Sequence, residues 1–285
     1  MLISSKRSQF VFKKVERDLL RIASNQESES VHSFRTTTRR LQILLEELLP
    51  NRDRNQKKLL KMLDRIRKRA GKVRDLDVQL GALRSLKTSQ EPRRKTQLTR
   101  SLLELRAKQE KKLRKPLTKS EIREIRKRLR RAQKDLNLES ARDPLTLARQ
   151  MLSRAELPAG AQTDETLHQY RIVAKRARYA AEFAPESAQA KQFITQLTRL
   201  QDAIGSWHDW SSLTHTAAGR LGDIGQSSLV AALHNVTGGK YRHALAALAG
   251  NTLQRKPKAA ASVPEQSLKM TTEIPALNLQ ADSAA

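Results

Sequence analysis

The 285-residue chain carries 56 Lys and Arg against 29 Asp and Glu, a formal net charge of +27. Such a field says little about fold but points to polyanionic partners. The lack of cysteine excludes disulfides and thiolate metal sites, and 4% aromatic content is thin for base stacking on single strands, while 38% hydrophobic content can build one large or two small domains.

The first ten residues, Met1 to Phe10, hold charges and no apolar h-region, so no signal peptide is expected. No stretch reads as a membrane span, and a cytoplasmic protein is the default expectation. Val31, Phe34, Thr38, Leu41, Leu45 and Leu48 recur at three-four spacing, which predicts a bundle helix ended by Pro50. Leu59, Leu63, Ile66, Ala70 and Val73 predict a second. Pro92 and Pro116 mark breaks. Thr118 to Glu121 reads as a capping box opening a helix through Ile122, Ile125, Leu129, Ala132 and Leu136. Asn137 and Asp143-Pro144 interrupt the periodicity, which divides the chain into a first bundle at 1–140 and a second at 141–250. Gly238-Gly239 reads as a break in the last helix. The tail, 251–285, has a net charge of +1, is rich in Ala, Ser, Thr, Pro and Gln, and reads as disordered. No strand run or Asn-Gly hairpin signal appears, so the fold class is all-α.

The two bundles look duplicated. Val31 to Arg40 aligns with Leu167 to Arg176 at an offset of 136, matching His32 with His168, Arg35 with Arg171, Arg39 with Lys175 and Arg40 with Arg176. Glu46 matches Glu182, and the apolar stripe is matched by Leu167, Tyr170, Ala174, Ala177, Ala181 and Ala184. Leu63 to Asp75 aligns with Leu197 to Asp209 at an offset of 134, pairing Gly71 with Gly205, Arg74 with His208 and Asp75 with Asp209. Two blocks in one order at nearly one offset imply duplication of a whole helical unit of four or five helices.

His32, Arg35 and Arg39 lie at i, i+3 and i+7, beside the apolar stripe, and His168, Arg171, Lys175 and Arg178 do the same in the second copy. Like charges this close repel, and a bound anion relieves the repulsion. Arg meets phosphate oxygens with a planar fork, Lys adds a compact charge, and His donates when protonated. Two such ridges facing one another would form a basic channel suited to a linear phosphate polymer. Asp75 and Asp209 are read either as groups orienting a neighbouring cation or as ordinary helix ion pairs. Gly71 and Gly205 are read as sites of close helix packing, and Trp207 and Trp210 as core. No function is assigned to His215, His234 or His243.

Glu29-x-x-His32 and Glu165-x-x-His168 have the spacing of di-iron bundles, but each glutamate falls at a helix start and the surrounding cations would repel a dication, so no metal or other cofactor is expected. Phosphate-loop, nucleophile-elbow and dinucleotide signatures are absent, and no catalytic residue is assigned. A non-catalytic polyanion binder is therefore expected, with sequence-independent RNA binding as the alternative.

Leu167 to Tyr179, Leu200 to Asp209 and Val73 to Val78 resemble the CHAD family, the conserved histidine α-helical domain, over roughly residues 5 to 250. The resemblance implies two four-helix bundles with pseudo-two-fold symmetry around a basic central groove. It also implies binding of inorganic polyphosphate and recruitment to polyphosphate granules. The ligand contacts it implies are His32, Arg35, Arg39, Arg40 and Arg74, with His168, Arg171, Lys175, Arg176 and Arg178. The sequence departs from strict repetition at Gln42, opposite Arg178, and at His208, opposite Arg74. Such domains are often fused to a triphosphate tunnel enzyme with a Glu-x-Glu-x-Lys signature. Here Glu27-Ser-Glu29-Ser-Val31 ends in Val and precedes a helix, so the chain is expected to be the binding module alone.

Overall fold

Short polar residues set most of the helix starts. Ser4, Asp53, Thr118, Asp143, Thr163, Ser187 and Ser227 each accept the backbone N–H three residues on, which satisfies one orphan donor of the helix that follows. The computed structural model describes residues 3–88, 91–155, 163–222 and 224–250. These residues form nine α-helices and no strand: α1 (Ser5–Ser24), α2 (Ser28–Ile43), α3 (Arg54–Ser85), α4 (Pro92–Arg114), α5 (Lys119–Lys134), α6 (Pro144–Arg154), α7 (Asp164–Ala181), α8 (Ala188–Leu221) and α9 (Ser228–Ala249). None is long and apolar enough to cross a membrane. The disorder expected for 251–285 concerns residues outside those described.

Three local expectations change. The stretch before Pro50 does not stay α-helical: Leu44–Leu48 is a π turn. The wider turn keeps Leu44, Leu45 and Leu48 buried while Glu46 and Glu47 reach the surface, where Glu46 accepts from Gln42 at 2.7 Å and Arg52 at 2.9 Å. At α5, Thr118 caps Glu121 N as expected, but the Glu121 carboxylate pairs with Arg65 of α3 at 2.6 Å, so only Thr118's half of the expected capping box is found. Gly238-Gly239 does not break the last helix. α9 runs through both, because Leu229, Val230, Leu233 and Ala244 pack inward, and their burial outweighs a cost of about 1 kcal/mol per glycine.

The expected apolar stripes face the core, with Ile122 and Leu136 at its partly buried edge. Val31, Phe34, Leu41, Leu45 and Leu48 pack with Leu59, Leu63, Ile66, Ala70 and Val73, and with Leu167, Tyr170, Ala174, Ala177 and Ala181. A second, smaller cluster joins Leu80, Leu83, Leu98 and Leu102 to Leu213, Leu229 and Leu233. The two longest helices, α3 and α8, run through both clusters. On α3 the large core ends at Val73 and the small one starts at Leu80; on α8 they meet between Trp207 and Leu213. The polar residues of the second matched block, Arg74 and Asp75 on α3 and His208 and Asp209 on α8, sit at these junctions. The order of packed neighbours α1–α2–α3–α4 recurs as α6–α7–α8–α9, and α2 meets α7 while α3 meets α8.

One buried carboxylate ties α1 to α2. Asp18, 2% exposed, accepts Ser33 Oγ at 2.9 Å and Thr37 Oγ1 at 2.7 Å and lies 3.3 Å from Lys14 Nζ. Asp18→Ala takes the buried acceptor from Ser33 Oγ and the ion-pair partner from Lys14, while Thr37 Oγ1 keeps Ser33 O at 2.8 Å and Lys14 keeps Ser33 Oγ at 2.9 Å, and the change is expected to cost about 2 kcal/mol. Chemical denaturation of the two proteins, compared at equal m-value, checks this; a loss below about 1 kcal/mol would count against the cluster as a tie.

Candidate polyanion-binding groove

α2 and α7 bury their apolar stripes, and the residues one position along line up as cationic ridges. Because α2 packs on α7 and α3 on α8, the ridges confront each other. Each feels the other's charge: Lys175 acts on His32, Arg35 on Arg171, and Arg39 on Lys175.

The central arginines have matched surroundings. Arg35 Nη1 lies 3.4 Å from Asp75 Oδ1, and Arg171 Nη2 lies 3.7 Å from Asp209 Oδ1. Each aspartate thus faces an arginine on a neighbouring helix, and Asp209 Oδ1 also lies 3.6 Å from His208 Nδ1 in its own turn. Each guanidinium also lies over the helix glycine four residues before that aspartate. A Cβ built on Gly71 would stand 3.8 Å from the Arg35 guanidinium, and one on Gly205 3.9 Å from Arg171 Nε. The glycines therefore floor the arginines, where close packing of a crossing helix was expected, and the space leaves room for a methyl group. Arg171 Nε and His208 Nδ1 are buried with no hydrogen-bond partner.

The histidines differ between the halves. His168 stacks on His208 with ring centroids 4.9 Å apart, whereas His32 has Arg74 in that role, and Arg74 Nη1 donates to Ser28 Oγ at 2.9 Å. Burial lowers the pKa of His32, reinforced by Arg74, and of His168, reinforced by His208. Burial likewise lowers Arg39, helped by Arg67, and Arg171, against the pull of Asp209. Lys175 is affected most: burial and the Arg171 charge bring it from 10.5 to about 7. In every case the charged form is partly withdrawn from solvent and has cations for neighbours, and an anion in the groove would oppose the shift.

Three of the expected contacts are held by carboxylates. Arg40 reaches across to α7 and pairs with Glu182 through Nε at 2.6 Å and Nη2 at 3.3 Å. Burial opposes the charge of Arg40, but the Glu182 hydrogen bond and charge prevail and its pKa is raised. Arg178 lies 3.5 Å from the same Glu182, and Arg176 pairs with Glu47 of the π turn. Arg40 and Arg178 flank the Tyr179 ring at 5.2 and 5.1 Å. Arg40 and Arg176 join the halves at the edge of the site, and Arg178 is held within its own half. His32, Arg35, Arg39, Arg74, His168, Arg171 and Lys175 make up its cationic interior.

Arg67 escaped the sequence reading. It sits one turn before Gly71 on α3, acts on Arg39, and with Arg39, Gln42, Glu46, Glu47, Arg176 and Tyr179 lines a cleft of about 250 Å³. Its aligned partner is Gln201, which is buried and donates to Ala174 O at 2.6 Å, so a search for residues present in both halves passes over it. Its place on the Gly71–Arg74 face of the helix was the available signal.

This architecture matches a known one. The model of the CHAD domain matches residues 10–218. The chain belongs to the CHAD family. The fold is similar to the crystal structure of the CHAD domain from the plant Ricinus communis, with a TM-score of 0.58 at 17% identity over 85% of this chain and 88% of that one. No curated protein sequence matches the chain.

Two outcomes follow from the geometry of this CHAD domain. Gly71→Ala and Gly205→Ala meet only ordinary contacts, so each is expected to stabilise the protein by about 0.5–1 kcal/mol through helix propensity, read as a rise in Tm; a fall would mean the arginine needs the bare backbone. For Lys175 the folded pKa lies below the unfolded one, so its penalty is absent above 10.5, grows as pH falls, and is complete below about 7. The stability advantage of Lys175→Met over the native chain should therefore widen between pH 10 and pH 7 and then level off. A pH-independent difference in denaturation free energy would contradict the crowding.

Proposed function

We propose that the groove binds inorganic polyphosphate without chemical turnover, and that this binding recruits the protein to polyphosphate-rich granules in the cytoplasm. The observation that carries the reading is the convergence of two cationic ridges, one from α2 and one from α7, each with its arginine set by an aspartate from the adjoining long helix. A linear polymer can neutralise both ridges at once, whereas a compact anion covers only part of them. Arg supplies forked donors to phosphate oxygens, and displaced counterions add an entropic gain that weakens with salt. Membership in the CHAD family supports the same ligand.

RNA is the competing polyanion. Trp207 is 3% exposed and packs edge-on against Tyr241 with centroids 6.1 Å apart, so it offers no face to a base. Trp210 packs against the smaller core cluster. The groove therefore meets phosphates with charge and lacks a stacking platform from either tryptophan, which favours a polymer without bases.

Titration with long-chain polyphosphate and with RNA of similar charge, at near-physiological salt, tests this. Polyphosphate is expected to bind much more tightly; equal or tighter RNA binding would overturn the assignment. Arg35→Gln with Arg171→Gln removes two charge-assisted contacts and should weaken polyphosphate binding by about a hundredfold or more. The pair Arg255→Gln and Lys256→Gln in the tail removes the same charge and should do much less. Equal losses would sink the groove.

A further inference from the structure

The positive charge is unevenly divided between the halves. Residues 1–140 hold 40 Lys and Arg against 17 Asp and Glu, a net of +23, whereas 141–250 hold 12 against 9, a net of +3. The ridges are matched between the halves, so the ridges do not account for the difference.

Part of it forms a line. Lys58, Lys61, Arg65, Lys68 and Lys72 recur at i, i+3, i+7, i+10 and i+14 on α3, and all five are exposed. On the aligned face of α8 stand Gln192, Thr195, Arg199, Asp202 and Ser206, with one cation and one acid. Neighbours at three and four residues repel when like-charged, so such a line weakens the free helix. Two carboxylates touch it: Glu121 at 2.6 Å from Arg65 and Asp64 at 2.9 Å from Lys68. Among the described residues no carboxylate lies within ion-pair distance of Lys58, Lys61 or Lys72. The next position on this face after Lys72 is Asp75, which pairs with Arg35 inside the groove. The line thus runs from the start of α3 to the lip of the groove, about 21 Å by helix rise.

We propose that the polyphosphate path continues out of the groove along this α3 line, on the first half only, so that a long chain leaves the protein in one preferred direction. The inference rests on the groove being a polyphosphate site. It adds a length-dependent section beyond that site, made of exposed lysines on a rigid helix instead of half-buried arginines.

The test uses the full chain carrying Lys58→Gln, Lys61→Gln, Lys68→Gln and Lys72→Gln together, substitutions that keep helix propensity nearly unchanged. A control carries Lys108→Gln, Lys111→Gln, Lys112→Gln and Lys115→Gln at exposed positions on or just after α4. Each is titrated with tripolyphosphate and with long-chain polyphosphate over a range of salt. The α3 variant should bind tripolyphosphate as the native chain does. It should bind the long polymer at least tenfold more weakly, with a salt slope shallower by about 3. An unchanged long-chain affinity, a loss as large for tripolyphosphate, or an equal loss in the α4 control would each overturn the directed path. These failures are separable from failure of the groove: if the native chain binds neither probe, or if Arg35→Gln with Arg171→Gln leaves both affinities intact, the groove reading falls and takes the extension with it.

Discussion

Repulsion among Arg35, Arg39, Arg171 and Lys175 is the interaction around which this molecule is organised. Arg39, Arg171 and Lys175 are partly withdrawn from water and have cations from the opposite ridge for neighbours, Arg35 among them, so burial and like charge both disfavour their charged forms. Coulomb repulsion between unit charges at a few ångströms amounts to several kcal/mol where solvent is thin. The free protein holds that strain in a site that an anion can relieve. Lys175 yields first, because an ammonium can lose its proton near neutrality while a guanidinium cannot.

The fold must resist the same repulsion from pushing the ridges apart. Carboxylates at the edge of the groove do so: Glu182 holds Arg40, and Glu47 holds Arg176. Further ties join the halves away from the site. Arg7 donates to Glu182 O at 2.8 Å, and Gln79 donates to Ser212 Oγ at 2.9 Å and Thr216 Oγ1 at 3.2 Å. The π turn contributes by placing Glu47 outward while its leucines stay inside. Inside the site, Asp75 and Asp209 both favour the charge of Arg171, and Asp209 that of Lys175, without cancelling the effect of burial.

The junction between the two core clusters explains where the site lies. A long bundle helix normally buries a continuous stripe, but α3 and α8 each pass from one cluster to the other at the level of the groove. At that level the helices carry polar residues, with Arg74, His208 and Asp209 half-buried and Asp75 exposed. The halves then differ in detail, with Arg74 beside His32 and a stacked His168–His208 pair opposite.

The sequence alone made the helices α2, α3, α5 and α7 legible, together with the spacing that puts cations beside the apolar stripes of α2 and α7. Three-four apolar spacing, polar caps and the two matched blocks are local or repeated signals, and these survive in a single chain read once. Tertiary structure alone decided which cations stay in the cationic interior. Arg178 looks like a ridge residue by spacing, and Arg40 and Arg176 were implied by the family resemblance, yet their partners are 4, 142 and 129 residues away in sequence, and only the packing of α2 on α7 brings the last two pairs together. Arg67 joined the site for the converse reason, since its aligned counterpart Gln201 was turned to the core. The continuity of α9 through Gly238-Gly239 and the π turn at Leu44–Leu48 were likewise decided by burial against neighbouring helices, which outweighs local propensity whenever the buried apolar surface is large.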